Sequence, residues 1–160
     1  MEDIYSFAYA LKARNAARDS GQTFVLTNGC FDIVHAGHAY SLNKAAEYGD
    51  VLWVAINSDQ SVKTLKGRER PINCQDDRGY LINSFKAVSG VFFFEKLDLA
   101  NEIKHLMPDV YIKSSDYTYE TLNKEERKAL EKVGTKVHFV PLHKKLSSSS
   151  MISKIKKIQD

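Results

Sequence analysis

Apolar residues in this chain follow two rhythms that alternate from one end to the other. Unbroken apolar runs stand at Phe24-Val25-Leu26, at VLWVAI over residues 51–56, at residues 91–94 and at residues 110–112. Runs of this length without polar alternation mark strands buried on both faces. They predict strands at residues 23–27, 51–56, 91–94 and 110–112, with a fifth at 136–140 that ends at Pro141. Between them apolar residues recur at three- and four-residue spacing, as Ile4, Phe7, Ala8, Leu11 and Ala16 do near the start, which is the period of a helix with one buried face. Helices are predicted over residues 4–17, 38–48, 75–88, 97–107, 118–132 and 147–158. Ser20-Gly21, Gly49, Pro108 and Gly134 act as stops. Residues 63–72, KTLKGRERPI, carry glycine, proline and four basic side chains and predict a loop.

Strands that alternate with helices predict an α/β domain, a five-stranded parallel sheet with helices on both faces. In such sheets a ligand sits beyond the carboxyl ends of the strands, where the strand order reverses. The polar residues gather there: 28–38 after the first strand, 57–70 after the second, 113–117 after the fourth and 142–150 after the fifth. The first of these, TNGCFDIVHAGH, runs from a strand through a small-residue turn into a helix N-terminus, where free N–H groups and the helix dipole favour an anion.

Composition narrows the picture. The chain has 160 residues, 43% hydrophobic and 27% charged, which fits one globular domain with its own core. A net charge of +3 is far from the balance of a nucleic-acid-binding domain. Cys30 and Cys74 give no disulfide framework and no zinc spacing. No apolar run approaches a membrane span, no signal peptide is visible after Met1, and a cytoplasmic location is the expectation.

His35 and His38 bracket Gly37. Two imidazoles so close could bind a metal or donate hydrogen bonds to phosphate. A zinc site needs further ligands at suitable spacing, and neither a cysteine nor an HExxH arrangement supplies them, so no metal-ligating residue is assigned. A phosphate site needs glycine for close backbone approach, a helix N-terminus and nearby cations, all present here, and this reading is preferred.

FDIVHAGH after a strand resembles the HxGH signature of the nucleotidyltransferase superfamily, which includes the cytidylyltransferases. Together with NSDQSVKTLKGRERPIN it looks most like the adenylyltransferase domain of the bacterial enzymes that make ADP-heptose. The resemblance implies a single Rossmann-like domain over residues 1–160, with a leading helix in 1–20 and a catalytic core over 22–158. It implies transfer of AMP from ATP to a sugar 1-phosphate, D-glycero-D-manno-heptose 1-phosphate, with release of pyrophosphate. CTP with glycerol 3-phosphate is the alternative substrate pair, and a nucleotide-binding regulatory module without catalysis is the alternative class. Magnesium is expected through the triphosphate, held mostly by phosphate and water, and a homodimer by resemblance.

The attacking sugar phosphate has a second pKa near ~6 and is mostly dianionic at neutral pH, so no general base is needed. The enzyme must align two anions and stabilise the charge that builds during transfer. On the family pattern His35, His38 and Lys63 are the catalytic candidates. Nucleotide contacts fall to Asn28, Gly29, Cys30, Phe31, Gly37, Lys113 and Asp116, and to Ser148, Ser149 and Ser150 at the start of the last helix. Substrate contacts fall to Asn57, Asp59, Lys66, Arg70 and Arg78. For Asp32 a structural role is favoured. Arg78 is expected either to fork onto a phosphate or to pair with Asp76 or Asp77. The chain departs from the family at Ser114-Ser115, where the heptose enzymes carry Gly-Gly, and at Lys144-Lys145-Leu146, where a glycine is usual. Loss of glycines that permit close approach bears on which base and sugar are taken.

Overall fold

The computed structural model describes residues 5–141 and 148–158. The helix start expected at Ile4, the helix start at Ser147 and the Lys144-Lys145-Leu146 departure lie outside the described residues, as do the side chains of Ser148, Ser149 and Ser150.

Five strands, β1 (Phe24–Gly29), β2 (Val51–Asn57), β3 (Gly90–Phe94), β4 (Val110–Ser114) and β5 (Lys136–Val140), form one sheet in the order β3-β2-β1-β4-β5. Every pairing is parallel, as the unbroken apolar runs predict. Around the sheet lie α1 (Phe7–Asp19), α2 (Ala36–Ala46), α3 (Asp59–Lys66), α4 (Gln75–Asn83), α5 (Ala100–Leu106), α6 (Lys124–Val133) and α7 (Ser148–Lys156).

The sheet divides the core in two. Phe24, Leu26, Trp53, Ala55, Phe92 and Tyr111 face Ala10 and Ala17 of α1, Ile103 and Leu106 of α5, and Ala129 and Leu130 of α6. Val25, Leu52, Val54, Ile56, Val91 and Ile112 face Leu42 and Ala45 of α2 and Ile82 of α4. The two-residue side-chain period of a strand sends neighbours such as Val54 and Ala55 to opposite layers. β1 is central and pairs with β2 on one side and β4 on the other. The chain reverses direction across the sheet at that pair, so the carboxyl ends of β1 and β4 open a crevice between them.

Boundaries shift by up to three residues at several elements, as at α5, which begins at Ala100 rather than at Leu97, and three departures are larger. Part of the expected basic loop is helical: α3 takes in both Lys63 and Lys66. The Ser58 hydroxyl accepts the Ser61 N–H at 3.2 Å, Val62 is fully buried, and Gly67 at φ +101° ends the helix. Eight residues with a single deeply buried apolar side chain leave too little periodicity to read. α4 stops at Asn83 rather than continuing to Val88, yet Phe85 and Val88 still pack on the core from the following turns. α6 begins at Lys124, where the Asn123 side chain caps the N–H groups of Glu125 and Glu126, rather than at Thr118.

Trp53, the sole tryptophan of the chain, stacks on Phe24 with ring centroids 6.1 Å apart. A Cβ on Gly90 would stand 2.5 Å from the Trp53 ring, which is 3% exposed and packed in the core. Gly90→Ala is therefore expected to destabilise the fold by about 1–3 kcal/mol through overpacking. Urea unfolding followed by Trp53 fluorescence measures this, and an unchanged midpoint would mean that the ring shifts freely.

Candidate active site

A cleft of about 580 Å³ opens at the carboxyl ends of β1 and β4. Its walls come from the turn after β1, the first turns of α2, the end of α3 and the segment leading into α6. Of the residues singled out in the sequence, Asn28, Gly29, Cys30, Phe31, His35, Gly37, His38, Asn57, Lys66, Lys113 and Asp116 line it together. Lys63, Asp59, Arg70 and Arg78 do not.

The two histidines are locked to each other. His35 is the residue before α2, in extended conformation, and its N–H donates to Nδ1 of His38 at 3.3 Å. A side chain reaching back to the amide at the helix start is the half of a capping box normally played by Glu or Gln. Because Nδ1 accepts, the proton of a neutral His38 sits on Nε2, which is then a donor. The rings stack with centroids 3.9 Å apart and planes 23° apart, an arrangement that disfavours charge on both. Burial, His35 and the Lys66 ammonium together push the His38 pKa down to about 4, and burial lowers His35 as well. Both rings are thus neutral hydrogen-bonding groups at pH 7. Nδ1 of His35 is buried without a protein partner among the described residues.

Phe31 adopts φ +51°, the left-handed region that costs a residue with a Cβ about 1 kcal/mol. The strain places its ring 5.3 Å from that of His38 and over Gly29, where a Cβ would stand 3.0 Å from the Phe31 ring. Cys30 is half-buried, and burial raises its thiol pKa. It is therefore poorly suited to act as a thiolate.

A polar cluster forms the wall between β1 and β4. Oδ1 of Asn28 accepts from Nζ of Lys113 at 2.7 Å and from the Tyr111 hydroxyl at 3.0 Å. The same hydroxyl lies 3.2 Å from Oε2 of Glu126, which stands 3.6 Å from Nζ of Lys113. Tyr111 and Glu126 were not singled out in the sequence. Glu126 did leave a signal: it falls in the buried phase of α6, in step with Ala129 and Leu130. Ser41, one helical turn after His38, also lines the cleft.

The residues outside the cleft hold its rim. Asp32, 1% exposed, accepts from the N–H groups of Ile72 and Asn73 at 2.7 and 3.1 Å and pairs with Arg70. These contacts hold its carboxyl below the usual range despite burial, in keeping with the structural role expected for it. Arg78 is fully buried and donates to the carbonyls of Cys30 at 2.6 Å and Asn73 at 3.1 Å and to Asp59 at 2.8 Å. Its acidic partner is Asp59 rather than Asp76 or Asp77. Of the residues that line the cleft, Asn57, 5% exposed, donates to the Ser61 hydroxyl. Neither Ser114 nor Ser115 requires a positive φ, so glycine is not needed for backbone conformation there. The Ser114 hydroxyl donates to Asp116.

A doubly wound parallel sheet with a helix N-terminus, paired neutral imidazoles and two lysines at its switch point defines an α/β protein with an anion-favouring cleft. The chain belongs to the cytidylyltransferase-like family of nucleotidyltransferases, whose profile matches residues 26–155. It is similar to "Bifunctional protein HldE" of a Nitratiruptor species, 54% identical over 97 residues, which are 61% of this chain and 21% of that protein. It is also similar to the protein of the same name from Helicobacter pylori (strain HPAG1), 41% identical over 136 residues, 85% of this chain and 28% of that one. The chain thus spans between a fifth and a third of the length of these relatives. Among solved structures it resembles the lipopolysaccharide core biosynthesis protein from Thermoplasma volcanium GSS1, with a TM-score of 0.61 and 26% identity over 77% of this chain and 98% of that one. Among the described residues no helix is long and apolar enough to cross a membrane.

Two outcomes test this geometry. Arg78→Lys keeps the charge but loses the three-way fork, and is expected to destabilise the fold by about 3 kcal/mol in urea unfolding; a loss under about 1 kcal/mol would mean that lysine satisfies the same acceptors. For the histidines, the unfolded state binds more protons than the folded one between pH 6.5, the ordinary histidine value, and about 4. Stability should therefore fall on acidification through that window. His38→Gln should flatten that part of the profile, and an unchanged slope would show that His38 titrates normally in the folded protein.

Proposed function

We propose that this chain transfers AMP from ATP to a sugar 1-phosphate, D-glycero-D-manno-heptose 1-phosphate, giving ADP-heptose and pyrophosphate. The observation that carries the reading is the stacked, neutral histidine pair at the start of α2, facing a cleft lined by Lys66 and Lys113. Likeness to the HldE proteins and to a lipopolysaccharide core biosynthesis protein supports the sugar-phosphate branch.

An oxygen of the sugar phosphate attacks the α-phosphorus of ATP, the bond from that phosphorus to the bridging oxygen breaks, and the electron pair leaves with pyrophosphate. The dianionic acceptor needs no base, so the protein's work is alignment and charge stabilisation. Nε2–H of His38 and the amides of the turn after β1 donate to triphosphate oxygens, and the α2 dipole adds to them. Lys66 lies close enough to lower the His38 pKa and serves the same phosphates. Lys63, the other catalytic candidate, is exposed on α3 outside the cleft and would reach the phosphates only after a change in α3.

Among the described residues no three His, Cys, Asp or Glu side chains gather as a metal site. A magnesium ion would ride on the triphosphate oxygens and water, where it would neutralise charge on the leaving pyrophosphate. Action in the cytoplasm as a homodimer completes the proposal.

Pyrophosphate release measured with ATP, CTP, GTP and UTP against a panel of sugar phosphates tests the assignment. Release with ATP and the heptose 1-phosphate is expected. Release only with CTP and glycerol 3-phosphate would replace it with the polyol reading, and nucleotide binding without turnover would favour a regulatory module. His38→Ala is expected to lower kcat by about 10²- to 10³-fold with little change in nucleotide affinity. Equal losses in both would reduce His38 to a binding residue.

A further inference from the structure

A carboxylate in the buried stripe of a helix costs several kcal/mol unless its partners repay it. Glu126, 3% exposed, occupies such a place on α6. Its Oε1 accepts the Leu99 N–H at 3.0 Å, and its Oε2 lies 3.2 Å from the Tyr111 hydroxyl, whose single proton it shares with Oδ1 of Asn28. An amide oxygen would serve either donor. The remaining neighbour, Nζ of Lys113 at 3.6 Å, is the one that calls for a negative charge.

The side chain of Lys113 is only 14% exposed, with Nζ 5.5 Å from the Tyr111 ring centre and 5.3 Å from that of Tyr117. Its one hydrogen bond among the described residues goes to Asn28. Glu126, beyond hydrogen-bond distance, supports the charge without taking an N–H. An ammonium has three donors, so donors remain for a ligand in the cleft that Lys113, Asn28 and Glu126 all line.

We propose that Glu126 is a positioning residue, which from α6 holds the Lys113 ammonium in place at the seam between β1 and β4 to bind an anionic oxygen of the nucleotide. The inference rests on the nucleotide reading of the cleft. It gives this cluster a division of labour: Asn28 fixes the direction of the ammonium, Glu126 keeps it charged, and the tyrosine rings keep water from its flanks. Burial lowers the Lys113 pKa, and Glu126 is the strongest influence in the opposite direction, ahead of Asp116 and Cys30. Among the described residues, those three, with Tyr111 and Tyr117, are the titratable groups around it.

The test uses the full chain with E126Q, which keeps an acceptor for Leu99 and removes the charge. Lys113 is titrated by NMR of ¹³C-labelled lysine side chains, its signal assigned by its loss in K113R, and Mg–ATP affinity is measured calorimetrically from pH 7 to 9. E126Q is expected to lower the Lys113 titration midpoint by about one pH unit and to weaken Mg–ATP binding progressively as pH rises. K113R/E126Q should lose that added pH dependence, because a guanidinium stays charged. E126D, whose carboxylate is one methylene shorter, should lie between E126Q and the wild type.

An unchanged Lys113 midpoint in folded E126Q, or a loss of affinity equal at every pH, would overturn the inference and leave Glu126 a packing residue. If E126Q does not fold, E126D against the wild type decides by the same midpoint. If the wild-type chain fails to bind any nucleoside triphosphate while the midpoint still shifts, the nucleotide reading fails and the Glu126–Lys113 coupling stands.

Discussion

A single buried guanidinium holds the two halves of the site's rim together. Arg78 has no exposed surface and reaches three separate segments: the turn after β1 through Cys30, the segment before α4 through Asn73, and the start of α3 through Asp59. A charge so deeply placed is tolerable only when its donors are met, and the acceptors it needs are the backbone carbonyls and carboxylate that would otherwise drift apart. Asp32 makes the complementary fixture from the other side, taking N–H groups of Ile72 and Asn73 and the Arg70 side chain. The turn that carries the histidines is therefore bounded on both sides by buried ionic contacts, and the strained Phe31 backbone persists within that frame.

Electrostatically the cleft is less cationic than its sequence suggests. Its imidazoles are neutral and stacked, one ammonium comes from α3 beyond β2, and another comes from β4 on the far side of β1. A phosphate lying over the end of β1 would meet fixed N–H donors in front and a lysine to each side. For the proposed transfer, such an arrangement would stabilise charge that spreads without trapping the ground-state anion in a cage of full positive charges.

Much of this was legible in the sequence because it depends on local pattern. Unbroken apolar runs gave away a parallel sheet, and TNGCFDIVHAGH disclosed a strand, a turn and a helix start in order. What stayed hidden depends on distance. Lys63 and Lys66 differ only in phase along α3, and a helix with one buried apolar residue does not reveal its phase. Arg78 reads as a phosphate ligand or a partner of Asp76 or Asp77 until its acceptors, up to forty-eight positions away, are seen around it. Glu126 sits beside Glu125 in a charged run, and only its agreement in phase with Ala129 and Leu130 sets it apart.

The position of the cleft also has a consequence for how the chain folds. β1, β2 and β3 are near neighbours in sequence, but β4 pairs with β1 across eighty-five positions, as Val25 does with Val110. Contacts of such separation carry more loop-closure cost than local ones. The N-terminal half can assemble its strand, turn and histidine-bearing helix before β4 arrives, yet until then it holds only one wall of the cleft. A ligand that touches both walls binds the finished topology and not its first half, so its binding energy is added to a long-range closure of the fold.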